Sequence, residues 1–168
     1  MKVRDVMTVN PKSCEAGANL AQAAAMMWEA DCGTLPVIDG AGQVLGMITD
    51  RDICIATGTS NRLASQISAT ELMRGVPKVC QPDDDLVVAL RTMEEGQVRR
   101  LPVVDGRGTL EGILSLSDLL LRAENSPRAD IPLTNVMKTL QAISQRRRTQ
   151  PTKAASPPKA AHRELLIV

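Results

Sequence analysis

The chain contains the same sequence unit twice, and this repetition limits the folds it can adopt more than any other feature. Residues 6–53 align without a gap on residues 72–119, and sixteen of the 48 aligned positions carry identical residues. The identical positions include Leu35-Pro36-Val37 in the first copy and Leu101-Pro102-Val103 in the second. Because a repeated unit of this length folds as one supersecondary structure, the sequence predicts two copies of a single motif.

The residue pattern within each copy predicts the order β-α-β-β-α. In the first copy a short extended piece, 12–15, precedes a helical run over 19–31 whose apolar residues recur every three or four positions. A short apolar strand over 34–38 then meets Asp39-Gly40, a pair that tolerates positive φ and favours a hairpin with a return strand over 44–48. The corresponding segments of the second copy are 85–97, 100–104, 105–108 and 110–114.

Pro36 and Pro102 lack the backbone N–H that a central strand donates, so each is predicted at the start of a strand or at a sheet edge, beside a cleft.

The predicted fold is α/β (α+β). The sequence divides into a first repeat over 2–66, a second repeat over 67–124, a linker with an amphipathic helix over 125–145, and a disordered basic tail over 146–168.

The composition argues against several functions. The chain has no Phe and no Tyr, and its single Trp28 is expected in the core or in a dimer contact. A platform for stacking nucleic-acid bases is therefore missing, and because the tail carries six of the 20 Lys and Arg residues, the rest of the chain is mildly acidic. Both features argue against nucleic acid as a partner. No apolar stretch reaches the roughly 20 residues of a membrane span, and no signal core follows Met1, so a cytoplasmic location is expected.

The four cysteines, Cys14, Cys32, Cys54 and Cys80, show no CxxC spacing, and His162 is the only histidine. This spacing predicts no zinc or iron–sulfur site, and buried, reduced thiols are the simplest interpretation. No nucleophile stands in a recognisable motif with a base, so we expect no catalysis.

Each second hairpin strand runs into a hydroxyl residue followed three positions later by an aspartate: Thr49 with Asp52, and Ser115 with Asp118. One interpretation is a helix N-terminal capping box. The other is a ligand site, in which the carboxylate accepts hydrogen bonds from ribose hydroxyls and the helix N-terminus favours a phosphate. The two roles are compatible.

The repeat order, the Leu-Pro-Val-(Ile/Val)-Asp-Gly element and the Gly-hydrophobic-hydrophobic-(Thr/Ser)-x-x-Asp ending together resemble the paired CBS domain, or Bateman module, over about residues 2–124. Met93 to Val103 also resemble a stretch of small stand-alone bacterial CBS-pair proteins of the hypoxic response type. The resemblance implies two repeats packed with pseudo-two-fold symmetry, a homodimer, and two clefts for an adenosine-type regulatory ligand (AMP, ADP, ATP or S-adenosylmethionine), with no cofactor.

The resemblance also implies site residues. The segments after Met7 and Met73 would form adenine walls, and basic residues before the Leu-Pro-Val strand would meet phosphates, which makes the second cleft the better candidate for a charged nucleotide. The first predicted cleft contains Thr8, Asn10, Pro36, Thr49 and Asp52. The second contains Gly75, Val76, Arg99, Arg100, Pro102, Ser115 and Asp118.

The expected function is therefore a non-catalytic sensor that changes shape or dimer geometry when its ligand binds. One alternative is a ligand-free dimeric adaptor in a stress response, whose clefts stay empty. Another is an enzyme fragment or subunit that works with a separate partner chain, the protein effector of this module.

Overall fold

The computed structural model describes residues 1–73, 75–124 and 130–145. The predicted tail, 146–168, lies outside these residues, as does most of the predicted linker. The first part of the chain contains β1 (Thr8–Val9), β2 (Cys14–Glu15), α1 (Leu20–Glu29), β3 (Thr34–Ile38), β4 (Val44–Thr49) and α2 (Asp50–Ser60). The second contains α3 (Leu86–Gly96), β5 (Arg100–Val104), β6 (Leu110–Ser115), α4 (Leu116–Arg122) and α5 (Leu133–Ser144). Short 3-10 turns cover Val3–Asp5, Ala64–Gln66 and Ala69–Leu72.

The predicted α+β class is confirmed, and local sequence explains where several elements begin. Helix α1 starts at a reciprocal cap, in which the Asn19 side chain accepts from the Gln22 backbone and the Gln22 side chain accepts from the Asn19 backbone, both at 3.0 Å. Strands β3 and β5 have the predicted bounds, and each is followed by an antiparallel partner, β4 or β6.

The hairpin turns use the predicted aspartates in another way. The Asp39 carboxylate accepts from the backbone N–H groups of Ala41 and Gln43, each at 2.9 Å, and φ is positive at Gly42 (78°), not at Gly40. The aspartate thus closes the turn with its side chain, and the later glycine takes the left-handed conformation. The second turn is built alike around Asp105 and Gly108.

The first strand of the chain joins the sheet of the second repeat. Strand β1 pairs antiparallel with β6, Thr8 opposite Ile113, which gives one sheet of order β1-β6-β5 and another of order β2-β3-β4. The sequence did not predict this exchange. In the second repeat the piece equivalent to β2 contributes only an isolated bridge between Cys80 and Val103.

Pro36 lies in the middle of β3, the central strand of its sheet, so its predicted place at a strand start or sheet edge is wrong. Pro102 is likewise in the middle of β5, although β5 is an edge strand. The Cys80 N–H donates to the Pro102 carbonyl at 3.1 Å. This neighbouring segment therefore uses the proline's acceptor and needs no N–H from it.

Two glycines receive the segments that cross between the repeats. A Cβ added at Gly112 would lie 2.7 Å from the Met7 Sδ and 3.0 Å from the Thr8 carbonyl oxygen. At Gly46 it would lie 2.6 Å from the Met73 Sδ. Each methionine therefore packs on the return strand of the other repeat, because glycine leaves room for it.

The buried residues form two aliphatic clusters that follow the same exchange. Val3 and Val6, at the start of the chain, are buried with the second repeat and α5, whereas Ile67 and Ala69 are buried with the first. Val136, which is 1% exposed, packs α5 onto the cluster of the second repeat. Trp28 is 88% exposed on the outer face of α1, so its predicted place in the core is wrong. None of the described helices is long and apolar enough to cross a membrane.

The four cysteines differ in how deeply they are buried. Cys14 and Cys80 are buried as predicted, Cys32 is partly buried, and Cys54 is exposed on α2, contrary to the prediction. Burial raises the pKa of Cys14, and burial with the nearby Asp84 carboxylate raises the pKa of Cys80 to about 12.

We expect iodoacetamide at pH 8 to alkylate Cys54 first in the folded protein and to leave Cys14 and Cys80 unmodified until unfolding. At a pKa of about 12, roughly one Cys80 side chain in ten thousand is the reactive thiolate at this pH. Peptide mass spectrometry after timed quenching measures the order, with a urea-unfolded sample as the control. Alkylation of Cys80 as fast as Cys54 in the folded protein would contradict this account of burial.

Candidate functional site

Both hydroxyl–aspartate motifs are capping boxes in the structure. The Ser115 hydroxyl and backbone N–H both donate to Asp118 Oδ2, at 2.7 and 2.9 Å, and the Asp118 N–H donates to the Ser115 hydroxyl at 3.1 Å. The corresponding distances for Thr49 and Asp52 are 2.6, 3.1 and 3.2 Å. The repeats thus place two aspartates identically, each at the start of a helix that follows a return strand.

Among the described residues, one oxygen of each aspartate accepts no hydrogen bond in the cap. All the hydrogen bonds that Asp52 and Asp118 carboxylates accept from described residues go to Oδ2. Both aspartates are partly buried, so the cap holds the carboxylate in one orientation while Oδ1 can still accept from a ligand. The capping and binding interpretations are therefore geometrically compatible.

Asp118 lines a cavity of about 440 Å³ built from both repeats, which we call the Asp118 cleft. One wall is the segment after Met7, and another is the end of β6 with the start of α4. The α1–β3 connection and the first residue of β5 complete the cavity. Its lining residues are Thr8, Asn10, Pro11, Lys12, Ala30, Asp31, Cys32, Thr34, Arg100, Ile113, Ser115 and Asp118.

Asp52 lines an equivalent cavity of about 410 Å³, which we call the Asp52 cleft. Here the segment after Met73 and the α3–β5 connection face the end of β4 and the start of α2. Its lining residues are Gly46, Met47, Asp52, Leu72, Gly75, Val76, Pro77, Lys78, Glu95, Gly96, Val98 and Arg100.

The predicted grouping of residues into clefts is wrong, because the segments before each repeat cross over. Thr8 and Asn10 were grouped with Asp52, but they lie with Asp118; Gly75 and Val76 were grouped with Asp118, but they lie with Asp52. The cause is the pairing of β1 with β6, which carries the first segment to the far repeat. The sequence motifs identify the pieces of each cleft, but strand pairing decides which pieces meet.

Four other predicted residues occupy varied positions. Pro36 and Pro102 are buried within their strands and line neither cleft. Thr49 takes part in the Asp52 cleft through its hydrogen bond to Asp52. Arg99 lines neither cleft and lies in an adjoining pocket between α4 and α5, which Arg100 and Ser115 also line.

Several lining residues were not predicted from the sequence, and two lysines and two apolar residues among them matter most for a ligand. Lys12 and Lys78 are equivalent residues of the two repeats, and each lines one cleft. Ile113 and Met47 are equivalent in the same way and form an apolar wall of the Asp118 and Asp52 clefts respectively. The identity of Lys12 and Lys78 between the repeats was the sequence signal that could have identified the pair.

A third cavity, of about 480 Å³, lies between α1 and α2 on the outside of the first repeat, and we call it the α1/α2 groove. Its lining includes Met27, Trp28 and Ile53, together with the half-buried Cys32 and the exposed Cys54. This groove has no hydroxyl–aspartate motif, so it lacks the donor and acceptor pattern of the two clefts.

The described residues contain no group of three or more His, Cys, Asp or Glu side chains that could hold a metal ion. The clefts combine basic, acidic and apolar side chains instead. Such a cavity suits an organic ligand with an apolar ring and a polar or anionic end.

Two motif copies that exchange their leading segments and enclose two equivalent clefts define a tandem-repeat α+β module. The CBS domain family matches residues 3–57 and 69–125, and the chain belongs to this family. The resemblance noted in the sequence is thereby confirmed.

Three known proteins illustrate the relationship. The CBS domain-containing protein YhcV of Bacillus subtilis is 33% identical over 138 residues, which are 80% of this chain and 94% of that protein. Hypoxic Response Protein I, solved with two coordinated zinc ions, has a TM-score of 0.68 and 30% identity, with 74% of this chain and 100% of that chain covered. CBSX2, solved in complex with AMP, has a TM-score of 0.62 and 29% identity, with 71% and 93% covered.

Proposed function

We propose that this protein is a non-catalytic regulatory module that binds an adenosine-type nucleotide in the Asp118 and Asp52 clefts. The observation that carries the proposal is the pair of oriented aspartates, each with one carboxylate oxygen still able to accept, at the wall of a cavity. Vicinal ribose hydroxyls are donors that fit such an oxygen. AMP bound to the similar protein CBSX2 supports adenosine as the ligand class.

The other walls of each cleft suit the remaining parts of the ligand. Ile113 in the Asp118 cleft and Met47 in the Asp52 cleft offer apolar contact for a base, which these clefts must supply without aromatic stacking. Lys12 and Lys78 are exposed cations at the respective cavities, where a phosphate can meet them.

The experiment is a thermal unfolding series with AMP, ADP, ATP, NAD and S-adenosylmethionine at millimolar concentration, on the wild type, Asp118→Asn and Asp52→Asn. A ligand present at a hundred times its dissociation constant adds about 2.7 kcal/mol of stability, which raises the midpoint by several degrees. We expect at least one adenosine ligand to do so, and each asparagine variant to lose part of the shift.

Asparagine keeps the size and one acceptor oxygen of aspartate, so the cap can persist while the charge is lost. The midpoint of each variant without ligand therefore separates a lost cap from a lost ligand contact. If no ligand of the series shifts the wild-type midpoint, the nucleotide proposal is wrong and a ligand-free adaptor is favoured.

We further propose that the α1/α2 groove is covered by a second copy of the chain. The equivalent groove of the second repeat is filled by α5, where Val136 is buried and the Gln97 amide donates to the Ala142 carbonyl at 2.7 Å. The groove of the first repeat has no such cover among the described residues, and Trp28 protrudes beside it. A two-fold contact would let each copy bury the other's tryptophan.

Replacing Trp28 by glutamate, the residue at the equivalent position 94 of the second repeat, should convert the dimer to a monomer. Light scattering at micromolar concentration measures the mass, and the emission maximum of this single tryptophan in the wild type should shift to the blue as the dimer forms. Leu121→Glu is the matched control, since Leu121 is 85% exposed but lies outside the groove. A wild type that is monomeric at this concentration excludes the proposed contact.

A further inference from the structure

Arg100 is the one residue, among those described, that lines both nucleotide clefts. Residues 66 positions apart are equivalent in the two repeats, so the aspartates and lysines form pairs with one member in each cleft. Arg100 breaks this pattern, because its equivalent in the first repeat is Thr34. Thr34 is 6% exposed, and its hydroxyl donates to the Ile48 carbonyl at 2.8 Å. The two clefts therefore share a cation that has no counterpart.

The position of Arg100 in the fold explains why it reaches both clefts. It is the first residue of β5 and lies opposite Ser115 of β6, whose hydroxyl bonds to Asp118 in one cleft. In the chain just before it, Gly96 and Val98 belong to the wall of the other cleft. The side chain is exposed, and within the described ranges no ion pair or side-chain hydrogen bond engages its guanidinium. It is available to an incoming anion from either side.

We infer that the two clefts compete for the Arg100 guanidinium, so that a phosphorylated ligand in one cleft weakens the binding of a phosphorylated ligand in the other. This inference rests on the nucleotide function proposed above. A guanidinium presents its donors in one planar fork that bonds one phosphate at a time in two-point fashion. The second phosphate therefore binds without those hydrogen bonds. An uncharged ligand makes no such demand, so adenosine should fill both clefts without this penalty.

The test is isothermal titration calorimetry of the full chain with adenosine and with AMP. For adenosine, Arg100 should cause no difference between the affinities of the two clefts. AMP should bind in two steps, the second weaker by roughly ten- to a hundredfold, the range expected for losing a charge-assisted hydrogen bond. In Arg100→Gln the first AMP step should weaken toward the second until the two merge, and the affinity for adenosine should change much less than that of the first AMP step.

Arg99→Gln is the matched control, because Arg99 is the adjacent exposed arginine and lines neither cleft. It should keep two separated AMP steps. Two AMP steps of equal affinity in the wild type would overturn the inference, and so would a separation that persists in Arg100→Gln, since that would reflect different clefts instead of a shared cation. Adenosine binding with equal AMP steps would contradict only the shared cation. If neither adenosine nor AMP binds, the proposed nucleotide function is overturned as well.

Discussion

We expect Gly112→Ala to lower the free energy of unfolding by about 1–3 kcal/mol, the usual cost of forcing an extra carbon into a packed site. The added Cβ would lie 2.7 Å from the Met7 Sδ, which can swing away, and 3.0 Å from the Thr8 carbonyl oxygen, which belongs to the backbone of β1. Strand β1 must therefore shift from β6. Urea unfolding followed by far-UV circular dichroism measures the loss.

Gly106→Ala is the control for this substitution, because no atom lies within 4 Å of a Cβ there and its φ is not positive. It should change stability by less than about 0.5 kcal/mol. Since Thr8 lines the Asp118 cleft, Gly112→Ala should also weaken AMP binding there. Equal stability of the two alanine variants would show that β1 does not pack against Gly112 as described.

Replacing Val136 by aspartate should cost more than about 3 kcal/mol, because it puts an unpaired charge into an aliphatic core. Val136 is 1% exposed and holds α5 on the cluster formed by α3, α4 and the start of the chain. The neighbouring Met137 is 43% exposed on the same helix. Met137→Asp therefore carries the same charge at nearly the same place and should be almost neutral.

The comparison is made by urea unfolding of both aspartate variants. If Val136→Asp does not fold, Val136→Ala provides a milder test and should still destabilise the protein more than Met137→Ala does. Equal losses at the two positions would mean that α5 does not cover the second repeat. The α1/α2 groove would then no longer differ from its equivalent.

The sequence was informative where structure is local. The repeat, the bounds of β3 and β5 and the two capping boxes follow from short patterns, because apolar periodicity and side-chain caps act within a few residues. The pairs Thr49–Asp52 and Ser115–Asp118 were therefore located correctly as local units.

Long-range pairing was not predictable from these patterns. Nothing local to Thr8 and Val9 indicates that they pair with β6, more than a hundred residues away, and this pairing alone reassigns Thr8 and Asn10 to the other cleft. Gly112 and Gly46 leave room for Met7 and Met73 and so mark the places where the repeats exchange segments. A glycine in a strand has several explanations, however, so these two residues did not predict the exchange.

The exposure of two side chains was also predicted wrongly, because it too depends on long-range packing. Trp28 and Cys54 are residue types that are often buried, and only the position of α5 shows that the outer face of the first repeat remains uncovered by the described chain. The sequence predicted α5 from its apolar stripe, yet it could not say which repeat the helix would cover.

The central claim is that each cleft proposed to bind a nucleotide combines the leading segment of one repeat with the aspartate of the other. Photolabelling with 8-azido-AMP, followed by peptide mass spectrometry with excess AMP as competitor, tests it directly. Asp118→Asn should abolish competable labelling of residues 8–12 and 30–34 and leave the label on 75–78 and 95–98, and Asp52→Asn should do the reverse. Loss of label from residues 8–12 in Asp52→Asn but not in Asp118→Asn would contradict the crossed arrangement.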